Sequence, residues 1–420
     1  LMNKSDLVVR KNTGGVEDFF RNENILSEKS KVGIAHTRWA THGTVTHENT
    51  HPFTSCDGAF AVVHNGIISN YRFLRDGLTG EGHVFRSDTD TEVIPHLLEK
   101  YFKKYKSVEK ALVQTLNILE GTFAIAVIST YHPGQIFCAR RESPLMLGIG
   151  DEQKFVGSDF NAFIDYTKNA VIIDDGEYAV LSRDSYVVKS FLTQEEVVKS
   201  ITKIEWDGET AKKGGYPHYM LKEIYEQPQT INTALELDSS LMDEMVDMIH
   251  KSENAYFVGV GTTFYVAKFS KYLFSSLADR FIPALSSDEF ISLAKVNSKS
   301  LVLTVSQSGE TFDTINALKF AKSKGAKTAA VVNVMGSSIS RLVDKVIFQG
   351  SGPEICVIST KAAFAQMIIM TLLALKLGLK KKTMKRKEYD ASITALCELP
   401  EIIQNVLNER SGFIHRIANN

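Results

Sequence analysis

Apolar and polar positions along the chain change rhythm once, near residue 205. Upstream, short β-branched and aromatic runs alternate with turn signals. The runs are Phe60 to Val63, Thr122 to Ser129, Gln135 to Ala139, Val171 to Ile173 and Tyr178 to Leu181, with turns at His132-Pro133-Gly134 and Asp174-Asp175-Gly176. Two stretches with helical spacing interrupt them, Glu92 to Tyr105 and Val108 to Leu119. The pattern predicts an α+β domain of antiparallel sheets with helices over 1–205. Segment 206–238 opens polar, with Gly208, Gly214 and Gly215, as an interdomain linker does, and continues as a helix from His218 to Leu237. Strand–turn–helix units then repeat. Ala255 to Val260 meets Gly261-Thr262-Thr263 and a helix to about Ser276. Leu301 to Val305 meets a Ser-Gln-Ser turn and a helix ending before Gly325. Thr328 to Val332 meets Met335-Gly336-Ser337-Ser338, and Lys345 to Phe348 precedes a long helix from about Thr360 to Leu377. Strands alternating with helices predict an α/β doubly wound parallel sheet over 239–380, with 381–420 as a helical connection entered through the basic run Lys380 to Lys387.

Composition narrows the partners. The 420 residues are 44% hydrophobic and 23% charged, with a formal net charge of −1, so no global field draws nucleic acid or an anionic membrane. The apolar run Met367 to Leu377 is shorter than the ~20 residues of a bilayer span. The four cysteines, Cys56, Cys138, Cys356 and Cys397, form no CxxC pair, so neither a disulfide framework nor a zinc knuckle is expected, and a reducing cytoplasm is the default. No metal and no cofactor is expected.

The turn Ser306-Gln307-Ser308-Gly309-Glu310-Thr311 closes a buried strand and opens a helix. Helix N-termini present unpaired backbone N–H groups, and hydroxyls add neutral donors, a combination suited to a small phosphomonoester. No Lys or Arg lies in the turn, which excludes a nucleotide triphosphatase loop. The bland alternative is that Ser308 caps the helix. Gly259-Val260-Gly261-Thr262-Thr263 has Phe264 where a dinucleotide fingerprint has its third glycine, so it reads as a second hydroxyl-bearing turn. Two such turns without metal-binding carboxylates point to a sugar phosphate.

His47-Glu48-Asn49-Thr50-His51 has the letters of a zinc-protease motif, but Gly43 upstream and Pro52 downstream argue against the helix that motif needs. The densest polar patch comprises His36 to Gly43, His51-Pro52, His64-Asn65-Gly66 and Ser87 to Glu92. Individually these have dull readings: Asn65-Gly66 as a hairpin turn, Thr89 or Asp90 as an N-cap, the histidines as satisfied structural groups. Together they supply an Arg for a carboxylate, an Asp for an ammonium, and an Asn side chain plus a Gly N–H for an oxyanion. Such a set would hold an amino acid whose side-chain carbonyl is attacked.

The strings GIAHTRWATHG (33–43), HPF, HNGII and SDTDTEV (87–93) resemble the glutaminase domain of the glutamine–fructose-6-phosphate aminotransferase family. HYMLKEIYEQP (218–228), SQSGET (306–311) and ISTKAAFAQ (358–366) resemble that family's first sugar isomerase (SIS) domain. The resemblance implies an Ntn-hydrolase-type glutaminase fold, with glutamine bound by Arg38, Thr41, His42, Gly66 and Asp90. Asn65 and Gly66 would form the oxyanion hole, and Trp39 would gate an ammonia passage. Fructose 6-phosphate would be held by Thr262, Thr263, Ser306, Gln307, Ser308 and Thr311, with Val357 and Ser359 lining the sugar. It also implies a homo-oligomer through SIS domains, and an N-terminal cysteine nucleophile and second SIS domain that are not in this sequence. The chain, opening at Leu1-Met2 and closing at Asn420, is therefore expected to be an inactive internal fragment. The competing expectation is a non-catalytic SIS module that senses sugar phosphates, which would have no need of the 36–90 residues.

Overall fold

The computed structural model describes residues 1–3, 6–23, 25–38, 44–204 and 213–418. The chain divides into two compact units, Leu1–Asp207 and Gly208–Asn420.

In the first unit, β1 (Met2–Asn3) and β2 (Asp6–Leu7) form a short ladder ahead of α1 (Val16–Asn22). β3 (Phe53–Thr54), β4 (Phe60–Ile68), α2 (Tyr71–Gly80), α3 (Val93–Tyr105), α4 (Val108–Ile118), β5 (Gly121–Ser129) and β6 (Ile136–Arg141) follow. Then come β7 (Met146–Ile149), β8 (Lys154–Gly157), β9 (Asn169–Ile172), β10 (Glu177–Leu181), β11 (Tyr186–Ser190) and β12 (Thr202–Lys203). Two antiparallel sheets result, in the orders β11-β10-β6-β5-β4-β3 and β12-β9-β7-β8. Period-two alternation assigns each strand face its neighbour. Phe123, Ile125 and Val127 of β5 pack with Val93, Leu97, Leu112 and Leu116 of α3 and α4. The intervening Ala124 and Ala126 face the second sheet through Leu147 and Val171. Small side chains on that face leave room for a cavity of about 750 Å³, lined by Val63, Ala124, Ala126 and Leu145 among others.

Three expectations change here. The strand foreseen at Phe60 to Val63 runs on to Ile68, so Asn65-Gly66 lies inside β4 opposite Ala124 and Phe123 and is not a hairpin turn. β7, β8 and β11 escaped detection, each being four or five residues long. Neither Thr89 nor Asp90 caps α3, whose N-cap position is Glu92.

The second unit holds α5 (Tyr219–Tyr225), α6 (Gln227–Leu235), α7 (Ser239–Lys251), β13 (Asn254–Gly259), α8 (Thr262–Ala278), β14 (Ala284–Ser286), α9 (Ser287–Leu293) and β15 (Ser300–Ser306). α10 (Phe312–Ser323), β16 (Lys327–Val332), α11 (Ser338–Leu342), β17 (Lys345–Phe348), α12 (Lys361–Lys381) and α13 (Arg386–Ala418) complete it. The sheet is wholly parallel in the order β14-β13-β15-β16-β17. One face packs Phe257, Leu303 and Val331 on α6, α7, α8 and α12; the other packs Val258, Val302 and Ala330 on α9, α10 and α11. This is the doubly wound arrangement the alternation predicted. β14 and α7 had not been foreseen, and the single helix expected from His218 to Leu237 is two, with Pro228 inside the first turn of α6. The apolar run taken as too short for a membrane belongs to a 21-residue helix, α12, long and apolar enough to cross one by length and composition. Fourteen of its residues are nonetheless buried, Lys361 and Gln366 among them, so its composition is that of a helix surrounded by protein.

Candidate functional site

β13 and β15 are neighbours, yet the chain leaves β13 for β14 on one side and returns to β15 on the other, which makes their junction the topological switch point of the sheet. Turns at strand carboxyl ends flank the crevice there. Val258 pairs with Thr304, so the Gly261 to Thr263 turn and the Ser306 to Thr311 loop leave the sheet side by side.

In the second of these, Ser306 Oγ accepts Gly309 N–H at 3.0 Å and Ser308 Oγ accepts Glu310 N–H at 3.2 Å. Both hydroxyls therefore fold the loop while keeping their own protons to donate. The N-cap of α10 is Thr311, not Ser308, and its side chain makes no capping bond. Gly309 has φ of +67°, and a Cβ there would stand 2.1 Å from Ser337 Oγ. In the first turn, Thr263 Oγ1 accepts Val260 N–H at 3.1 Å and donates to Val260 O at 2.9 Å. That hydroxyl is committed to its own turn, so Thr263 has its backbone N–H to offer a ligand.

Ser359 Oγ donates to Glu354 Oε2 at 2.7 Å, and Val357 is 80% exposed. Both ride on a segment held by carboxylates. Glu354 Oε1 accepts Thr360 and Ala362 N–H at the start of α12, and Glu223 Oε1 accepts Ile355 and Cys356 N–H at 2.6 and 3.0 Å. Burial pushes the Glu223 carboxyl above its ordinary range. Asn333 links this segment to the Ser306–Thr311 loop: its N–H donates to Gln307 O at 3.2 Å, and its side chain bonds Ser351 N–H and Gly352 O. Glu310 accepts Ser338 N–H and hydroxyl at 2.8 and 2.7 Å, tying the loop to α11. These positioning residues were missed, because a buried acid or amide reads from sequence as any surface polar residue.

In the first unit, Arg38, Asn65, Gly66 and Asp90 all line the 750 Å³ cavity, as do His36, His51, His64 and Thr91. Trp39, Thr41 and His42 lie outside the described residues. Arg38 Nη1 donates to Thr44 O at 3.3 Å. Asp90, 5% exposed, accepts Ile68 N–H at 2.7 Å on one carboxylate oxygen, leaving the other for a cation. Gly66 has φ of +137°, and a Cβ there would meet Thr122 O at 2.2 Å. The His64 ring makes two contacts, Nδ1 with Thr91 Oγ1 at 2.9 Å, which joins β4 to the Ser87–Thr91 loop, and Nε2 with Thr122 O of β5 at 3.4 Å. His51 Nδ1 accepts His64 N–H at 3.2 Å and its ring stacks on His36 at 4.2 Å. Burial lowers all three imidazoles below their ordinary range, His36 to about 4 and His51 to about 2, while Asp90 opposes the shift at His64. Asn49, another missed residue, accepts Asp88 N–H and donates to Thr44 O, pinning loop to loop. His47 is exposed and in a turn, so the zinc-protease motif has no helix to stand on. Burial raises the Cys138 thiol to about 12, which leaves it inert.

A cavity with a buried acid beside an Asn-Gly strand in one unit, and a switch-point crevice between hydroxyl-bearing turns in the other, define a protein that joins an α+β domain to a doubly wound α/β domain. Residues 36–165 match the glutamine amidotransferase domain family and residues 248–376 the SIS domain family. A glutamine--fructose-6-phosphate aminotransferase [isomerizing] of Thermococcus kodakarensis is 42% identical over 410 residues, covering 96% of this chain and 68% of the relative. Its namesake in Methanococcus maripaludis is 38% identical, covering 98% and 69%. Among solved structures, the C-terminal domain of glucosamine-fructose-6-phosphate aminotransferase from Francisella tularensis is 27% identical with a TM-score of 0.45, covering 48% of this chain and 59% of that one. The chain belongs to the isomerizing glutamine–fructose-6-phosphate aminotransferase family, and it spans about two thirds of the length of the two relatives named first.

Proposed function

We propose that this chain serves a cytoplasmic, homo-oligomeric aminotransferase that moves the side-chain amide nitrogen of glutamine onto fructose 6-phosphate to give glucosamine 6-phosphate. The observation that carries the reading is the meeting, in one cavity, of Asp90 with the Asn65-Gly66 step of β4. Asp90 and Arg38 offer opposite charges to the α-ammonium and α-carboxylate of an amino acid. The Gly66 N–H and Asn65 amide are donors for the oxyanion that forms when its side-chain carbonyl is attacked. Hydrolysis of the amide consumes one water and releases ammonia. Ammonia adds to the C2 carbonyl of open-chain fructose 6-phosphate, a water leaves as the imine forms, and proton shifts deliver the 2-amino aldose. The Ser306–Thr311 loop and the turn at Thr262-Thr263 would hold the phosphate through neutral donors, with Gln307, Val357 and Ser359 nearer the sugar.

Calorimetry on the 1–420 chain with glutamine and, separately, fructose 6-phosphate tests this. Two independent binding events are expected, the first abolished or strongly weakened by Asp90→Ala. Sugar-phosphate binding without any glutamine binding would replace this reading with that of a sensor module.

A further inference from the structure

Outside the lining of the glutamine cavity, a second constellation stands on α3 and the loops beside it. Cys56 in the turn between β3 and β4, His83 in the loop after α2, and His96 and Glu99 on α3 each place a ligand-capable atom within 4.8 Å of the other three. Cys56 Sγ lies 3.5 Å from His96 Nδ1 and 3.8 Å from His83 Nδ1, and His83 Nδ1 lies 3.7 Å from Glu99 Oε2.

We propose that Cys56, His83, His96 and Glu99 form a structural zinc site that staples the loop carrying Ser87–Thr91 to α3. The distances carry the assignment. Zinc bonds of roughly 2.3 Å to sulfur and 2.0–2.2 Å to nitrogen and oxygen at tetrahedral angles make ligand–ligand edges of about 3.3–3.6 Å. The three separations of 3.5, 3.8 and 3.7 Å need to contract by at most a few tenths of an ångström, and the remaining pairs already lie within 4.8 Å. As hydrogen bonds these separations leave one sulfur to serve two imidazoles and the His83–Glu99 pair, at 3.7 Å, unbonded. The donor set of one thiolate, two imidazoles and one carboxylate is that of zinc, not of a hard alkaline-earth ion. With both anionic ligands ionised, the ion's two charges are balanced.

The outer contacts fit. If His96 binds through Nδ1, its Nε2 carries the proton; that atom is buried with no hydrogen-bond partner, and it faces Glu92 Oε1 at 3.7 Å, the carboxylate–histidine–metal relation that orients ligand imidazoles. Glu92 in turn accepts Arg86 and Ser87 N–H at 2.8 and 2.7 Å, so the ring is coupled to the backbone of the loop it would anchor. Cys56 Sγ accepts Val84 N–H at 3.3 Å, and Glu99 is held by Cys56 N–H and by Lys103 at 2.8 and 2.6 Å. Sequence spacing hid the cluster: only His96 and Glu99, three apart on one helix face, are close along the chain.

The test is metal binding by the chelator-treated 1–420 chain, independent of any substrate. One equivalent of Zn²⁺ is expected to bind and raise the melting temperature. Co²⁺ in its place should show intense visible bands of tetrahedral geometry together with a thiolate-to-cobalt charge-transfer band in the near ultraviolet. Cys56→Ser should abolish that band, and Glu92→Gln should keep it while weakening zinc affinity about 10–100-fold. Substoichiometric binding, or a wild-type cobalt spectrum without the thiolate band, overturns the site even if the serine variant fails to fold.

Discussion

The two candidate sites are made in opposite ways. In the second unit the ligand-facing groups are loop backbone and hydroxyls at strand ends, where parallel topology gathers turns whatever their side chains. In the first unit they are side chains fixed by buried polar contacts across elements far apart in sequence: Asp90 to Ile68, His64 to Thr91 and Thr122, Asn49 to Asp88. A site built on topology tolerates substitution of any one hydroxyl, whereas one built on a buried network depends on each member.

Glycine substitution should break this contrast most sharply. Gly66→Ala places a methyl group against the Thr122 carbonyl, backbone that cannot move without parting β4 from β5. A loss of about 3–5 kcal/mol is expected, measured as a fall in the chemical-denaturation midpoint of the first unit. Gly309→Ala instead meets the Ser337 side chain, with Oγ at 2.1 Å and Cβ at 2.6 Å. Its cost should shrink when Ser337→Gly is added; an unrelieved cost would locate the conflict in the φ of +67° and the Val332 Cγ1 contact at 2.9 Å.

Acid should also separate the units. His36 and His51 have folded pKa values depressed below 6.5, so the unfolded chain takes up protons that the folded one refuses. Their contribution is whole above about pH 6.5 and falls as pH drops towards about 4 for His36 and about 2 for His51, by roughly 1.4 kcal/mol per pH unit for each. Stability of the first unit measured from pH 7 to 4 should show this slope, reduced by about half that two-histidine amount in His36→Asn. An unchanged slope would show that the ring is protonated in the folded chain.

How much was legible beforehand follows the same division. The alternation of strands and helices over 239–380 foretold the parallel sheet and placed Ser306–Thr311 at the carboxyl edge of its strands, because local pattern and global position coincide in that architecture. The three-residue β14 was lost together with α7 and α9, and with β14 went the switch point between β13 and β15. In the first unit the residue types were legible but not their places. Asn65-Gly66 has the composition of a turn and sits in a strand, because the demand on Gly66 comes from Thr122, more than fifty residues away. No short window contains such a constraint, and the same holds for Glu92 and Asn49.

Substrate binding should sharpen the comparison at smaller scale. Removing the Asp90 charge while keeping an acceptor for Ile68 N–H, as in Asp90→Asn, takes away one charge-assisted contact, typically ~1.5–3 kcal/mol. Glutamine affinity should fall about 10- to 100-fold, with sugar-phosphate affinity unmoved. A parallel fall in both would make the change structural.

The smallest effects belong to the hydroxyls. Ser308→Ala removes one neutral donor and the acceptor for Glu310 N–H, and Thr311→Ala removes a hydroxyl that caps nothing. Each is expected to weaken fructose 6-phosphate binding by about 0.5–1.5 kcal/mol, roughly 2- to 12-fold, since backbone N–H groups at the start of α10 remain. Thr263→Ala is the internal control. Its hydroxyl is spent on Val260, so the change should lower the melting temperature while leaving affinity within about twofold. Calorimetry on the three variants separates the roles. An affinity loss at Thr263 matching that at Thr311 would mean that the hydroxyl leaves its turn to reach the phosphate, and that this loop, like the cavity of the first unit, depends on a particular side chain.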